Sequence, residues 1–331
     1  MKQMQEKSPC CWGQVWRFGE RRRQCSVCRK TWRAWSNKRG RKARRSNDAP
    51  LLKRYLSGQL SISGHAKRRD TPARGGIETR LRKARNDFIA VTSWPPTPPE
   101  PSILITDAFQ QTINSVTRTG YLGFMRPLAG TKAVILPPYY QNGLETSDGW
   151  AAAFASYETL LDEVEALVCD GAIGLVRQAQ ARGWVLQRCH FHLLHSLNNY
   201  VRRGRLSRNQ RADEIHELVR IVLQSPSDDR AYGAVCRLQL ILPELLSRGA
   251  REVISGFIKH WLDYRAYIYY DQLNLPRTSN SAEQAICMVR RLQQTARGWS
   301  SHAAFADWAE AVLKHQQTIT CLPSNISTKL I

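Results

Sequence analysis

Ile103-Leu104-Ile105-Thr106-Asp107 and Glu165-Ala166-Leu167-Val168-Cys169-Asp170-Gly171 are the two stretches that decide the fold. Each is a short, unbroken apolar run, and such a run reads as a strand buried on both faces. Each ends on a carboxylate. Between them lie two further strand candidates, residues 120–126 and 132–138, punctuated by Gly120 and Gly130. Asp148, read as an N-cap, opens an Ala-rich helix from Trp150 to Leu161. After Asp170 come a helix from Ala172 to Arg182 stopped by Gly183, and a strand from Val185 to Cys189. Three strands, helix, strand, helix, strand is the order of an α/β fold, a mixed sheet with helices on its faces.

Working outward toward the C-terminus, residues from His192 to about Tyr264 carry apolar side chains at helical spacing almost throughout. An all-helical insertion is expected at about 193–273. Ser279–Leu292 and Ser300–Lys314 read as two more helices, and 319–331 as a loose tail. Toward the N-terminus, Ser93-Trp94-Pro95-Pro96-Thr97-Pro98-Pro99-Glu100-Pro101 reads as a stiff extended connector, because proline fixes φ and gives no backbone donor. The expected organisation is a basic Cys-containing segment (1–45), a basic helical region with helix-turn-helix character (46–92), the Pro-rich linker (93–101), an α/β domain (102–318) and the tail.

The 331 residues carry 49 Lys and Arg against 27 Asp and Glu, a net charge of +22. Residues 1–100 account for +18 of it. A polyanion is the expected partner, and double-stranded DNA the natural one. Arg21, Arg22, Arg23, Arg29, Lys30, Arg39, Arg41, Lys42, Arg44 and Arg45 are the candidate phosphate contacts of the arm. Within it, Cys25-Ser26-Val27-Cys28 is a C-x2-C knuckle of the kind that grips Zn2+, with Cys11 and Cys10 upstream as candidate partners. Ser8 stands where a second C-x2-C would need Cys, so an unmetallated ribbon is the alternative. No stretch approaches 18 consecutive apolar residues, and Met1–Cys10 has no apolar signal core, so neither a membrane span nor secretion is expected. Nine cysteines without a dense framework fit a reducing cytoplasm, and a DNA partner would make the setting nucleoid-associated.

If the first and fourth strands lie side by side, Asp107 and Asp170 meet at one sheet edge. Glu283, on the helix after the insertion, is the candidate third acid. Three hard oxygen donors from separate elements suit Mg2+ or Mn2+, and a pair of such ions activates an attacking hydroxyl and stabilises the leaving oxygen at phosphorus. Arg290 lies two helical turns beyond Glu283 on the same face, where a cation can hold the DNA backbone. Arg277, Arg291 and Arg297 add phosphate-binding capacity. Strand-end acids often merely cap turns, and a basic helix face is often merely solvated.

The chain resembles prokaryotic insertion-sequence transposases of the Mutator-like DDE kind. The resemblance is carried by Asp170-Gly171 followed by Cys189-His190-Phe191-His192, similar to that group's C-x2-H signature, by Thr278–Glu283, similar to its T-x-N-x-x-E with Asn280 at the Asn position, and by Arg290 at its basic position. It spans roughly residues 100–315. The Cys-rich N-terminus also looks like the zinc ribbons many such transposases carry. The resemblance implies an RNase H-like catalytic domain interrupted by helices, the triad Asp107, Asp170 and Glu283, and cleavage and joining of transposon ends by a homodimer or larger assembly acting on terminal inverted repeats and target DNA. Cys189 and His192 are expected to support the strand end beneath the site, with metal ligation, in a cluster with the nearby His190 and His195, as the alternative. A decayed or domesticated transposase that only binds DNA, and an RNase H-like nuclease that cuts without joining, are the alternatives.

Overall fold

The computed structural model describes residues 12–17, 20–25, 31–33, 48–61, 74–202, 211–245, 247–296 and 301–322. Two compact units divide between Asn47 and Asp48. In the first, strands β1 (Trp12–Arg17), β2 (Glu20–Cys25) and β3 (Thr31–Arg33) form an antiparallel sheet in the order β1-β2-β3. Arg21, Arg22, Arg23 and Cys25 belong to β2. Cys10, Cys11, Cys28, Arg29, Lys30, Arg39, Arg41, Lys42, Arg44 and Arg45 lie outside the described residues, and with them the zinc expectation.

The second unit is built on β4 (Ser102–Ile113), β5 (Val116–Pro127), β6 (Lys132–Ile135), β8 (Val164–Cys169), β9 (Val185–Arg188) and β10 (Thr318–Thr320). A short β7 (Tyr139–Asn142) pairs with β5 off the main path. The order is β10-β6-β5-β4-β8-β9. β4 runs antiparallel to β5 and parallel to β8, and β8 runs parallel to β9. The sheet is therefore mixed and the fold α/β.

Period-2 alternation divides β4 between two cores. Leu104 faces a layer formed by α3 (Ser147–Tyr157) and α4 (Ile173–Arg182), with Trp150, Phe154 and Leu175. Ile103, Ile105 and Phe109 face the opposite layer, with Ala285, Ile286 and Val289 of α10 (Asn280–Ala296) and Phe305 and Trp308 of α11 (His302–Gln316). The insertion, α5 (His190–Arg202), α6 (Ala212–Gln224), α7 (Asp228–Ile241), α8 (Arg248–Lys259) and the short α9 (Ala266–Tyr269), has a core of its own around Leu197, Val219, Leu238 and Phe257. The buried guanidinium of Arg265 ties it together, donating to the carbonyls of Val222 and Ser225 at 2.7 Å each and to Asp228 at 2.7 Å.

Several expectations are corrected. β4 does not stop at Asp107; it continues to Ile113 and turns into β5 through Asn114 and Ser115, both at positive φ (50° and 63°), as a two-residue hairpin of the strands' own twist requires. Asp148 is not the N-cap: Thr146 is, its hydroxyl accepting from the Gly149 N–H at 3.0 Å, and Asp148 sits exposed in the first turn. The compact division falls before Asp48, not at the Pro-rich segment. Helices α1 (Ala49–Leu56) and α2 (Arg74–Val91) bury Leu52, Tyr55, Ile77 and Leu81 in the same core as β4, α10 and α11. Arg85 of α2 also pairs with Asp307 at 2.7 Å and stacks on Trp308. Nor is the start of the tail loose. β10 pairs with β6, Ile319 and Cys321 are buried, and the Cys321 carbonyl accepts from buried Arg126.

Candidate active site

Strand parity places Asp107 on the α10 side of the sheet, two residues past Ile105 and two before Phe109. Ile105 lies opposite Val168 in the parallel β4/β8 pair, and Asp107 and Asp170 each follow two residues later, Asp170 just past the end of β8. Asp170 begins the turn that leaves β8: its Oδ1 accepts from the Ala172 N–H at 2.9 Å, and Gly171 follows at φ 91°. A Cβ on Gly171 would lie 2.6 Å from the Arg188 guanidinium, which is itself fixed by Asp263 at 3.1 Å. Only glycine fits both the dihedral and the space.

Glu283 enters from the first turn of α10. Ser279 starts that helix, its carbonyl accepting from the N–H groups of Ala282 at 2.8 Å and Glu283 at 3.1 Å. Cys189 secures Ser279 from below, its sulfur accepting from the Ser279 N–H at 3.2 Å and hydroxyl at 3.3 Å. Cys189 is fully buried, and its own N–H bonds to the Cys169 carbonyl at 2.7 Å. These bonds tie the end of β9 to the end of β8 and to the start of α10.

His192 lies three residues on, in the first turn of α5. Its Nε2 lies 3.4 Å from Glu283 Oε1. Asp107, His192 and Glu283 bring one ligand-type atom each to within 4.8 Å of one another. Asp170 is not in that tight group, although its charge acts on Asp107. The structure thus unites two of the three expected acids with a histidine, and leaves the third alongside.

The electrostatics follow. Burial, opposed by His192 and reinforced by Glu283 and Asp170, pushes the Asp107 carboxyl up to about 7. Its Oδ1 accepts from the Ala108 N–H at 2.8 Å, while its buried Oδ2 has no hydrogen-bond partner. His192 is held well above the ordinary imidazole value by Cys189 and then by Glu283. Glu283 is held low by His192, with Arg290 contributing as the same-face reading expects. A buried carboxylate oxygen with no donor, beside further carboxylates and an imidazole, is a donor set that fits a divalent cation.

Of the remaining expected residues, Asn280, Arg290 and Arg291 are exposed along α10. Arg277 is half-buried, its guanidinium 5.0 Å from the centre of the Tyr267 ring. Arg297 lies outside the described residues. His190 turns away from the site: it is fully enclosed, bonds the Tyr264 carbonyl at 2.7 Å, and burial lowers it to about 4. Cys287 of α10 is exposed. The sequence reading missed Glu145. This half-buried carboxylate accepts from the Trp150 indole N–H at 2.7 Å and feels both Asp170 and His192. It comes from a loop between β7 and α3 that has no periodicity to announce it.

No family model matches the chain, and comparison with curated proteins gives no match either. Among the described residues, no helix is long and apolar enough to cross a membrane.

Proposed function

We propose that this protein is a DDE-type DNA transposase, a polynucleotidyl transferase that cleaves the ends of an insertion sequence and joins them to target DNA. The observation that carries the reading is the meeting of Asp107 and Glu283, from a central strand and from a helix beyond the insertion, with Asp170 just past the end of the neighbouring strand β8. The strand order supports an RNase H-like assignment: an antiparallel three-strand meander (β4, β5, β6), then two parallel strands added beside its first member. The all-helical insertion between Asp170 and Glu283, with its separate core, supports the Mutator-like resemblance.

Asp107, Asp170 and Glu283 are the residues that would hold Mg2+ or Mn2+, and the bound ions would supply activation of the attacking hydroxyl and charge neutralisation at phosphorus. The protein's own residues do the rest. Cys189 and Ser279 fix the helix that presents Glu283. Gly171 fixes the turn that presents Asp170. Arg290, exposed near Glu283, is placed to hold a DNA phosphate beside the acids, and Arg277 and Arg291 extend that capacity. The basic N-terminal unit supplies sequence-independent affinity for duplex DNA. A homodimer or larger assembly on paired ends, in the nucleoid, is the corresponding cellular form.

One observation favours a second reading. Asp170 stands outside the tight Asp107/His192/Glu283 group, as a catalytically decayed, DNA-binding relative would allow. The test is metal-dependent nicking and strand transfer on duplex oligonucleotides bearing the element's ends. Activity lost in Asp170→Asn and in Glu283→Gln, with DNA binding retained, supports the transposase. Binding without any cleavage in the wild type supports the decayed reading, and cleavage without joining a nuclease.

A further inference from the structure

We propose that His192 is itself a metal ligand, so that one divalent ion of the site is held by a mixed nitrogen and oxygen set: Asp107, His192 and Glu283. The proposal rests on the phosphoryl-transfer reading for what the ion does, but not for what binds it. The ligand atoms of the three residues lie within 4.8 Å of one another, and the His192 to Glu283 edge is 3.4 Å. Donors about 2.0–2.3 Å from a common ion are separated by about 3–4.5 Å, so a slight contraction closes the site.

A second observation points to an ion independently of the clustering. Asp107 is only 9% exposed, and its buried Oδ2 has no hydrogen-bond partner. Its other oxygen, Oδ1, accepts from the Ala108 N–H at 2.8 Å, and a carboxylate oxygen of Asp107 belongs to the group with His192 and Glu283. A carboxylate ionised in this position calls for a positive partner, and a metal ion competes with the proton for it. The histidine is delivered by construction: the β9 strand ends at Arg188, Cys189 anchors the following turn to Cys169 and Ser279, and α5 then carries His192 to Glu283.

Imidazole in place of a carboxylate changes which metal is preferred. An all-oxygen site suits Mg2+, whereas a site with an imidazole nitrogen shifts preference toward Co2+ and Zn2+, with Mn2+ acceptable to both. The experiment uses the full chain and Mn2+ alone, read by pulsed electron paramagnetic resonance. Bound Mn2+ is expected to show coupling to a histidine nitrogen that changes to the 15N pattern when the protein is labelled with 15N-histidine. His192→Gln should weaken Mn2+ binding by about 10–100-fold, at least the loss expected from removing a residue that merely supports a ligand. His192→Asp keeps a donor, so it should retain the metal and lose the nitrogen signal. Mn2+ bound without histidine coupling, or coupling that survives both substitutions, overturns the proposal while leaving the phosphoryl-transfer reading intact. Failure of the full chain to bind Mn2+ also overturns it, and the transposase reading is then decided separately by cleavage of DNA in Mg2+.

Discussion

His192 Nε2 lies 3.4 Å from Glu283 Oε1, joining the helix that leaves β9 to the helix that follows the insertion. The pair closes the insertion: one partner lies in the first turn of α5, its first helix, and the other in the first turn of α10, just after its end. It lets a bundle with a separate core interrupt the α/β domain without separating the two halves of the site. Cys189 and Ser279 add a second tie between the two ends of the insertion.

Cys189 tests that tie. Cys189→Ala removes the acceptor for the buried Ser279 N–H and leaves that donor unsatisfied, at a cost of about 1–3 kcal/mol. Because Ser279 starts the helix carrying Glu283, cleavage should fall more than stability alone explains. Cys189→Ser restores an acceptor and should recover most of both. Thermal unfolding and single-turnover cleavage on the same preparations check this. Equal behaviour of the Ala and Ser variants would show that the sulfur only fills space.

Gly171→Ala addresses the neighbouring acid. The substitution places a Cβ at φ 91° and 2.6 Å from Arg188, so the turn must open or Arg188 must leave Asp263. A cost of about 1–3 kcal/mol in stability is expected, together with displacement of Asp170. Gly183→Ala is the comparison: φ is also positive, but nothing lies within 4 Å. It should cost stability alone, and cleavage by that variant at a permissive temperature should match wild type.

Residues 1–47 carry much of the positive charge and form a compact unit of their own, whereas 48–91 bury Leu52, Tyr55, Ile77 and Leu81 in the main core. Deleting 1–47 should therefore leave a folded protein with weakened DNA binding. The slope of log affinity against log salt should fall by about 0.9 for each DNA phosphate that the protein no longer neutralises. Deleting 1–95 should instead yield insoluble or unfolded protein. Filter binding across a salt series, with circular dichroism on each truncation, measures both. A salt slope unchanged by the shorter deletion would assign DNA binding to the larger unit.

The acids were legible in the sequence because parallel buried strands announce themselves as apolar runs, and each run here carries its Asp at the same offset. The helix of Glu283 was legible from its spacing. What was not legible has physical causes. Asp107 lies mid-strand because the polar, alternating half of β4 (Gln110, Gln111, Thr112) pairs with β5, a long-range hairpin that local hydrophobicity does not report. Helices α1 and α2 look basic and detached because their exposed faces are Arg-rich, while only a few apolar residues hold them to α11. The part His192 plays depends on an approach across the whole insertion, and Glu145 on a loop conformation. Neither leaves a periodic trace.

The metal-free protein should lose stability as pH rises from about 4 to 8, and a divalent ion should reverse the loss. Burial raises the Asp107 carboxyl from 3.8 to about 7, with His192 opposing and Glu283 and Asp170 adding. Below pH 4 both folded and unfolded chains hold this proton, and Asp107 contributes nothing. Between pH 4 and 7 the unfolded chain releases it while the folded chain retains it, so stability falls with pH. Above 7 both are ionised and the penalty is complete, at most about 4 kcal/mol for a shift of this size. His192 acts in the same direction at higher pH: its folded value is raised, so its stabilisation is full below 6.5 and declines above it. Glu283 is lowered, so its contribution grows below and around pH 4.5 and is constant above. Urea unfolding in chelator from pH 4.5 to 8 should show the decline, and Asp107→Asn should flatten it between pH 4.5 and 7. Adding Mn2+ should raise stability more at pH 8 than at pH 5.5, because the ion binds the ionised carboxylate. A Mn2+ effect independent of pH, together with an unchanged slope in Asp107→Asn, would place the metal away from Asp107.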